Sequence, residues 1–153
     1  MDTLGVPYEY EREGFVVTLE DGTARAYLPD FYLPSLKAWV EVKPGTPSHE
    51  EYEVAMSMKG QVFMFCGAVP DPAVVGEGGP PDDVFDILIQ GDSMYAWTEC
   101  PMCGAIGIEF TAFADRIGCR CRFKGRTPNG ASPRLLAAYR AARGARFEHG
   151  ECG

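Results

Sequence analysis

In the run Trp39-Val-Glu41-Val-Lys43 polar and apolar positions alternate, which predicts a strand with Trp39, Glu41 and Lys43 on one face and Val40 and Val42 on the other. On this pattern the charged pair is displayed and the valines are packed. Tyr8 to Glu11 and Gly14 to Leu19 also read as strands, and Asp21-Gly22 supplies the turn before a further strand, Ala24 to Phe31. The connection Tyr32 to Leu36 is short enough to return as a hairpin, which would let Asp30 approach Glu41. After Pro44-Gly45 the period changes. Ser48 and Glu51 have the spacing of a capping box, and Tyr52, Ala55, Met56 and Lys59 form a helical stripe that Gly60 can close. Gln61 to Cys66 returns as a short apolar strand.

Residues 67–83, rich in Gly, Pro and Asp, break both periods and read as a linker or long surface loop. Val84 to Gln90 resumes as a strand, Gly91-Asp92 turns, and Met94 to Thr98 leads into a group of cysteines. Ser132 as N-cap and Pro133 at the first helical position open a helix expected to run through about Arg146. Leu135, Leu136 and Tyr139 can pack, whereas Arg140 and Arg143 lie three apart and share a face. The order of strands, helix and strand predicts a mixed α/β sheet rather than a bundle.

A chain of 153 residues holds one core with at most a small satellite module. No apolar run is long enough to span a bilayer, and the N-terminus has neither a basic segment nor an apolar h-region, so a cytoplasmic, non-membrane protein is expected. In that compartment six cysteines point to metal ligation or redox chemistry rather than to a disulfide framework. The net charge of −8 argues against nonspecific coating of DNA, but the charge is uneven. From Trp97 onward nine basic residues face five acidic ones, while residues 1–96 carry five basic and seventeen acidic. A basic C-terminal part beside an acidic part is compatible with holding in one and cutting in the other. Arg134, Arg140 and Arg143 are the candidate phosphate contacts; the plainer reading is a solvated helix face.

Asp30 and Glu41 beside the Lys43 ammonium suit a hard divalent cation, Mg²⁺ or Mn²⁺, which takes oxygen ligands and is commonly held by one or two carboxylates and a substrate phosphate. The plainer alternative is a hairpin with a solvated acidic and basic face. Pro29-Asp30 with Glu41-Val42-Lys43 resembles the signature of the PD-(D/E)XK phosphodiesterases, which include restriction endonucleases and Holliday-junction resolvases. The resemblance covers roughly the first 66 residues. It implies a restriction-endonuclease-like core in which Asp30, Glu41 and the Val42 carbonyl hold the catalytic metal and Lys43 orients or activates the attacking water. Many members carry an earlier helix with a glutamate that joins the metal site. Here the chain begins about seven residues before Tyr8, which leaves no room for that helix. Glu9 and Glu11, on one face of the first strand, are the available substitutes. The departure is compatible with a reduced acidic cluster, a true start lying upstream, or an inactive nuclease fold retained for binding.

Cys100-Pro-Met-Cys103-Gly is followed by Cys119-Arg-Cys121. Two such pairs can complete a closed tetrahedral Zn²⁺ site of the structural kind. The module resembles a zinc ribbon, with strand-like Ala105 to Phe113 between its two knuckles, although the second pair has one intervening residue where two are commoner. Cys66, ending an apolar run, reads as core, Cys152 and His149 as tail residues, and His49 as an exposed first-turn histidine that could touch phosphate.

These readings give a nuclease-like core over 1–70, a linker over 71–83, a β-hairpin and zinc ribbon over 84–126, and a basic helix and tail over 127–153. The expected activity is metal-dependent hydrolysis of DNA. The alternative is a catalytically inactive nuclease-fold module that binds DNA or a protein partner. A thiol redox protein is a third reading, and a homodimer is left open.

Overall fold

Strands dominate the described residues of this computed structural model, which are 1–73, 86–89, 92–110, 119, 121 and 130–145. They are β1 (Glu9–Tyr10), β2 (Phe15–Thr18), β3 (Ala24–Tyr27), β4 (Phe31–Leu33), β5 (Ala38–Lys43), β6 (Gln61–Cys66), β7 (Asp86–Ile89), β8 (Asp92–Glu99) and β9 (Ile106–Phe110), with helices α1 (His49–Met56) and α2 (Pro133–Gly144). Among the described residues seven strands form one sheet in the order β1-β4-β5-β6-β7-β8-β9, and β2 and β3 pair separately as a two-stranded ribbon. The sheet is mixed, because β5 and β6 run parallel while its other pairs are antiparallel. Parallel neighbours need a crossover, and α1 supplies it.

The run expected as one strand from Ala24 to Phe31 is two. β3 ends at Tyr27, and Pro29, which has no N–H for a ladder and a fixed φ, sits buried in the break before β4. β3 therefore pairs with β2, while β4 makes the hairpin with β5 through register Phe31↔Val40 and Tyr32↔Trp39. α1 opens with the expected capping box but ends at Met56, capped by Ser57. Gly60, at φ 127°, turns the chain back toward β6 in a conformation that a side chain would strain. Asp92, expected in a turn, begins β8, and α2 ends at Gly144. β7, β8 and β9 extend the same sheet across the expected 71–83 boundary.

The sheet separates two apolar clusters. On one side Val17 and Leu19, from β2 and just beyond it, with Tyr27 of the ribbon, meet Trp39, Val62 and Met64 of the sheet and Ala55 of α1. On the other, Phe31, Val40, Phe65 and Trp97 meet Leu135 and Tyr139 of α2, as well as Leu4 from an N-terminal 3-10 turn. An apolar cavity of about 170 Å³ lies on this second side, lined in part by Val42, Phe65, Trp97 and Leu135. Cys66 is buried, as its apolar run suggested.

Candidate functional site

Alternation along β5 sends Trp39, Glu41 and Lys43 to the side carrying α1 and the ribbon. That side is covered, so the expectation of a displayed carboxylate is corrected: Glu41 is only 7% exposed, while Val42, expected to be packed, is 38% exposed. Asp30 lies in the break between β3 and β4, and its Oδ2 accepts the Val42 N–H at 2.7 Å, joining the Pro-Asp turn to the Glu-Val-Lys strand. Glu41 is held on both oxygens. Tyr27 Oη donates to its Oε2 at 3.0 Å, and the Lys43 ammonium lies 3.0 Å from its Oε1. Lys43 Nζ is also 3.1 Å from Glu51 Oε1, at the first turn of α1.

Burial pushes the Glu41 carboxyl above its ordinary value, the Lys43 ammonium opposes that, and the Asp30 charge adds to it. Burial alone would lower Lys43, but its hydrogen bonds and charge contacts with Glu41 and Glu51 outweigh that, so the net shift is upward and the ammonium stays protonated. Tyr27 is also pushed up, first by burial and then by the Glu41 charge. Glu51 is held down at about 2 by the Ser48 N–H and hydroxyl and then by Lys43. The charge on Asp30 thus disfavours ionisation of Glu41, so the two carboxylates act on one another.

Glu9 and Glu11, expected to share one face of the first strand, are placed differently. Glu9 sits in β1 with its carboxylate 3.3 Å from Arg12. Glu11 is past the end of β1 at φ 42°, so the two do not continue one strand face; its N–H donates to the Asp30 carbonyl at 2.9 Å, which brings its backbone beside the site. The helix arginines lie elsewhere. α2 packs on the side of the sheet opposite Glu41. Arg134 donates to the carbonyls of Gly104 and Leu4, Arg143 donates to Val69 O at 2.9 Å, and Arg140 is exposed. His49 is exposed at the start of α1, while His149 and Cys152 lie outside the described residues.

The second candidate centre is built from thiols. Cys100 and Cys103 flank a turn after β8, where Cys100 N–H donates to Ala105 O and Gly104 N–H returns to Cys100 O. Cys119 and Cys121 complete the group, and the four sulfur atoms lie within 4.8 Å of one another. Individual S···S separations of 3.0 to 3.6 Å are slightly tighter than the edge of about 3.8 Å that a tetrahedron with Zn–S arms of about 2.3 Å would have. A small expansion would accommodate the ion, so this group could hold a structural metal such as zinc. Burial raises the Cys100 thiol, but the N–H groups of Met102 and Cys103 and the neighbouring sulfurs hold it down at about 6. The Ala105 N–H lowers its neighbour Cys103, but the bonds to Cys100 and Cys119 and burial leave that thiol raised, so one thiolate of the pair forms at the other's expense.

Tyr27 and Glu51 were not singled out from sequence as site residues. Tyr27 precedes Asp30 by three positions, but its role depends on the ribbon folding over β5. Glu51 carried a clear signal as a capping residue. The connection from Lys43 to Ser48 is short enough to have suggested that the first turn of α1 stands beside the end of β5. Among the described residues no helix is long and apolar enough to cross a membrane. No protein-family model, curated protein or solved structure matches this chain, so the reading of its chemistry rests on the two clusters themselves.

Proposed function

We propose that this chain is a Mg²⁺- or Mn²⁺-dependent nuclease of the PD-(D/E)XK kind, hydrolysing DNA phosphodiester bonds at Asp30, Glu41 and Lys43, with Zn²⁺ in the four-cysteine group as a structural ion. The observation that carries the reading is the junction of the strand break with β5: Asp30 bonds the Val42 N–H while Glu41 and Lys43 sit 3.0 Å apart on the same strand. The hairpin preceding the parallel β5-α1-β6 unit supports it. Asp30 and Glu41, with the Val42 carbonyl, would hold the catalytic cation, which when bound supplies Lewis-acid stabilisation of charge on the phosphate and a more acidic water. Tyr27 fixes one oxygen of Glu41 and so restricts the carboxylate's rotation. Lys43, protonated, places a positive charge where an attacking water or the developing phosphorane charge can be held. The DNA class that enters the site is part of the test.

The assay uses linear, single-stranded and branched DNA with Mg²⁺ or Mn²⁺. Asp30→Asn and Glu41→Gln should abolish cleavage with the fold intact, and Lys43→Ala should slow it by about two to four orders of magnitude. Variants that cut like the parent, or a parent that cuts none of these substrates with either ion, would overturn the reading in favour of a binding module.

A further inference from the structure

Glu51 takes part in two structures at once. Its Oε2 accepts from the Ser48 N–H at 2.8 Å and the Ser48 hydroxyl at 2.9 Å, while the Ser48 hydroxyl accepts the Glu51 N–H, closing the capping box of α1. Its Oε1 is left for Lys43, at 3.1 Å. The same ammonium is 3.0 Å from Glu41 Oε1. One lysine is thus shared between a buried strand carboxylate and a carboxylate immobilised by a helix cap. A cation held at Asp30 and Glu41 would compete with that lysine for the Glu41 oxygens. Without a second anion, the ammonium would either stay on Glu41 and oppose the cation or leave the site.

We infer that Glu51 is a positioning residue that draws the Lys43 ammonium off Glu41 when a divalent cation binds and keeps it beside the site. This deepens the nuclease reading and rests on it. The capping box suits Glu51 to this role, because hydrogen bonds from Ser48 already fix its side chain and holding the ammonium requires little further ordering.

The deciding substitution is Glu51→Gln, because glutamine also serves at this position of a capping box while lacking the charge. Binding of Mg²⁺ and of Ca²⁺ is measured by calorimetry on the full chain with its zinc in place, independently of cleavage. Glu51→Gln should weaken cation binding about tenfold, the lower end for residues that orient metal ligands, with α1 helicity near that of the parent and a modestly lower thermal midpoint from loss of the Glu51 charge. In a Lys43→Gln background the same change should have less than about a twofold effect, because its route runs through the lysine. Unchanged cation affinity in Glu51→Gln, or an equal loss with and without Lys43, would overturn the inference while leaving the nuclease reading standing. A parent that binds neither cation, or whose binding survives Asp30→Asn and Glu41→Gln together, would overturn both.

Discussion

Glu41 is surrounded by groups that favour opposite protonation states. Its burial is the largest influence and favours the neutral acid, while Lys43 and the Tyr27 hydroxyl favour the carboxylate. Replacing a whole buried ion pair is often neutral or stabilising, and removing one partner is costly because it leaves the other charge buried and unpaired. Here, however, Lys43 keeps Glu51, and an amide oxygen can accept from Tyr27 as the carboxylate does. Glu41→Gln should therefore raise the melting temperature of the protein without added Mg²⁺ by about 2–4 °C, the equivalent of about 1 kcal/mol for a domain of this size. The sign with pH follows from the raised folded value. Below the unfolded pKa of about 4.3 the parent's Glu41 is protonated in both states and its contribution is fully present; it is lost as pH rises through the folded pKa. The advantage of Gln should thus be absent in acid and grow toward neutrality, which calorimetric scans from about pH 3 to about pH 8 would check. An advantage that is largest in acid would mean that the ion pair with Lys43 outweighs desolvation. Glu51 has the opposite sign: its contribution is present above the ordinary carboxylate range and falls away as pH drops toward about 2.

The turn between β8 and β9 carries two of the four thiols and two backbone hydrogen bonds that shape it. Binding an ion there couples directly to the order of that turn. Purified protein should contain about one zinc per chain, and a chelator should raise amide exchange at residues 100–105 more than in β5 and β6. Elemental analysis finding no zinc in folded protein with freely titrating thiols would remove the metal from this element. The thiol spacing was legible in the sequence because each pair is local, and so were both helix N-termini, where Ser48 and Ser132 accept the N–H groups of Glu51 and Leu135. The division of the Ala24 to Phe31 run had a visible cause in Pro29, yet the aromatic and aliphatic residues on both sides of it read as one strand. The burial of Glu41 was not legible. Local alternation assigns a side chain to a face, but it cannot say that a ribbon from residues 15–27 and a helix from residues 49–56 will close over that face.

Across the whole molecule the sheet keeps two chemistries apart. Asp30, Glu41, Lys43 and Glu51 gather by the side with α1, while α2 and its arginines cover the other. DNA held by Arg140 and Arg143 would have to pass around an edge of the sheet to reach the carboxylates. Among the described residues, the α2 arginines and the carboxylates therefore lie on opposite faces of the sheet. The two ends of the described chain meet on the α2 side, where Arg134 donates to the Leu4 carbonyl across a separation of 130 residues and also to Gly104. Closing so long a loop costs entropy that short-range contacts avoid, so this junction belongs late in folding, after the sheet between its partners has formed. Contacts absent at the barrier hold the native state through its rate of escape. Arg134→Ala should accordingly speed unfolding by about three- to tenfold and leave the folding rate nearly unchanged, as read from the two arms of a denaturant chevron. A folding arm slowed by the same factor would mean that the ends meet before the sheet is complete. On the expected result, one arginine on the face away from the carboxylates sets how long each molecule stays folded, with little influence on how fast it gets there.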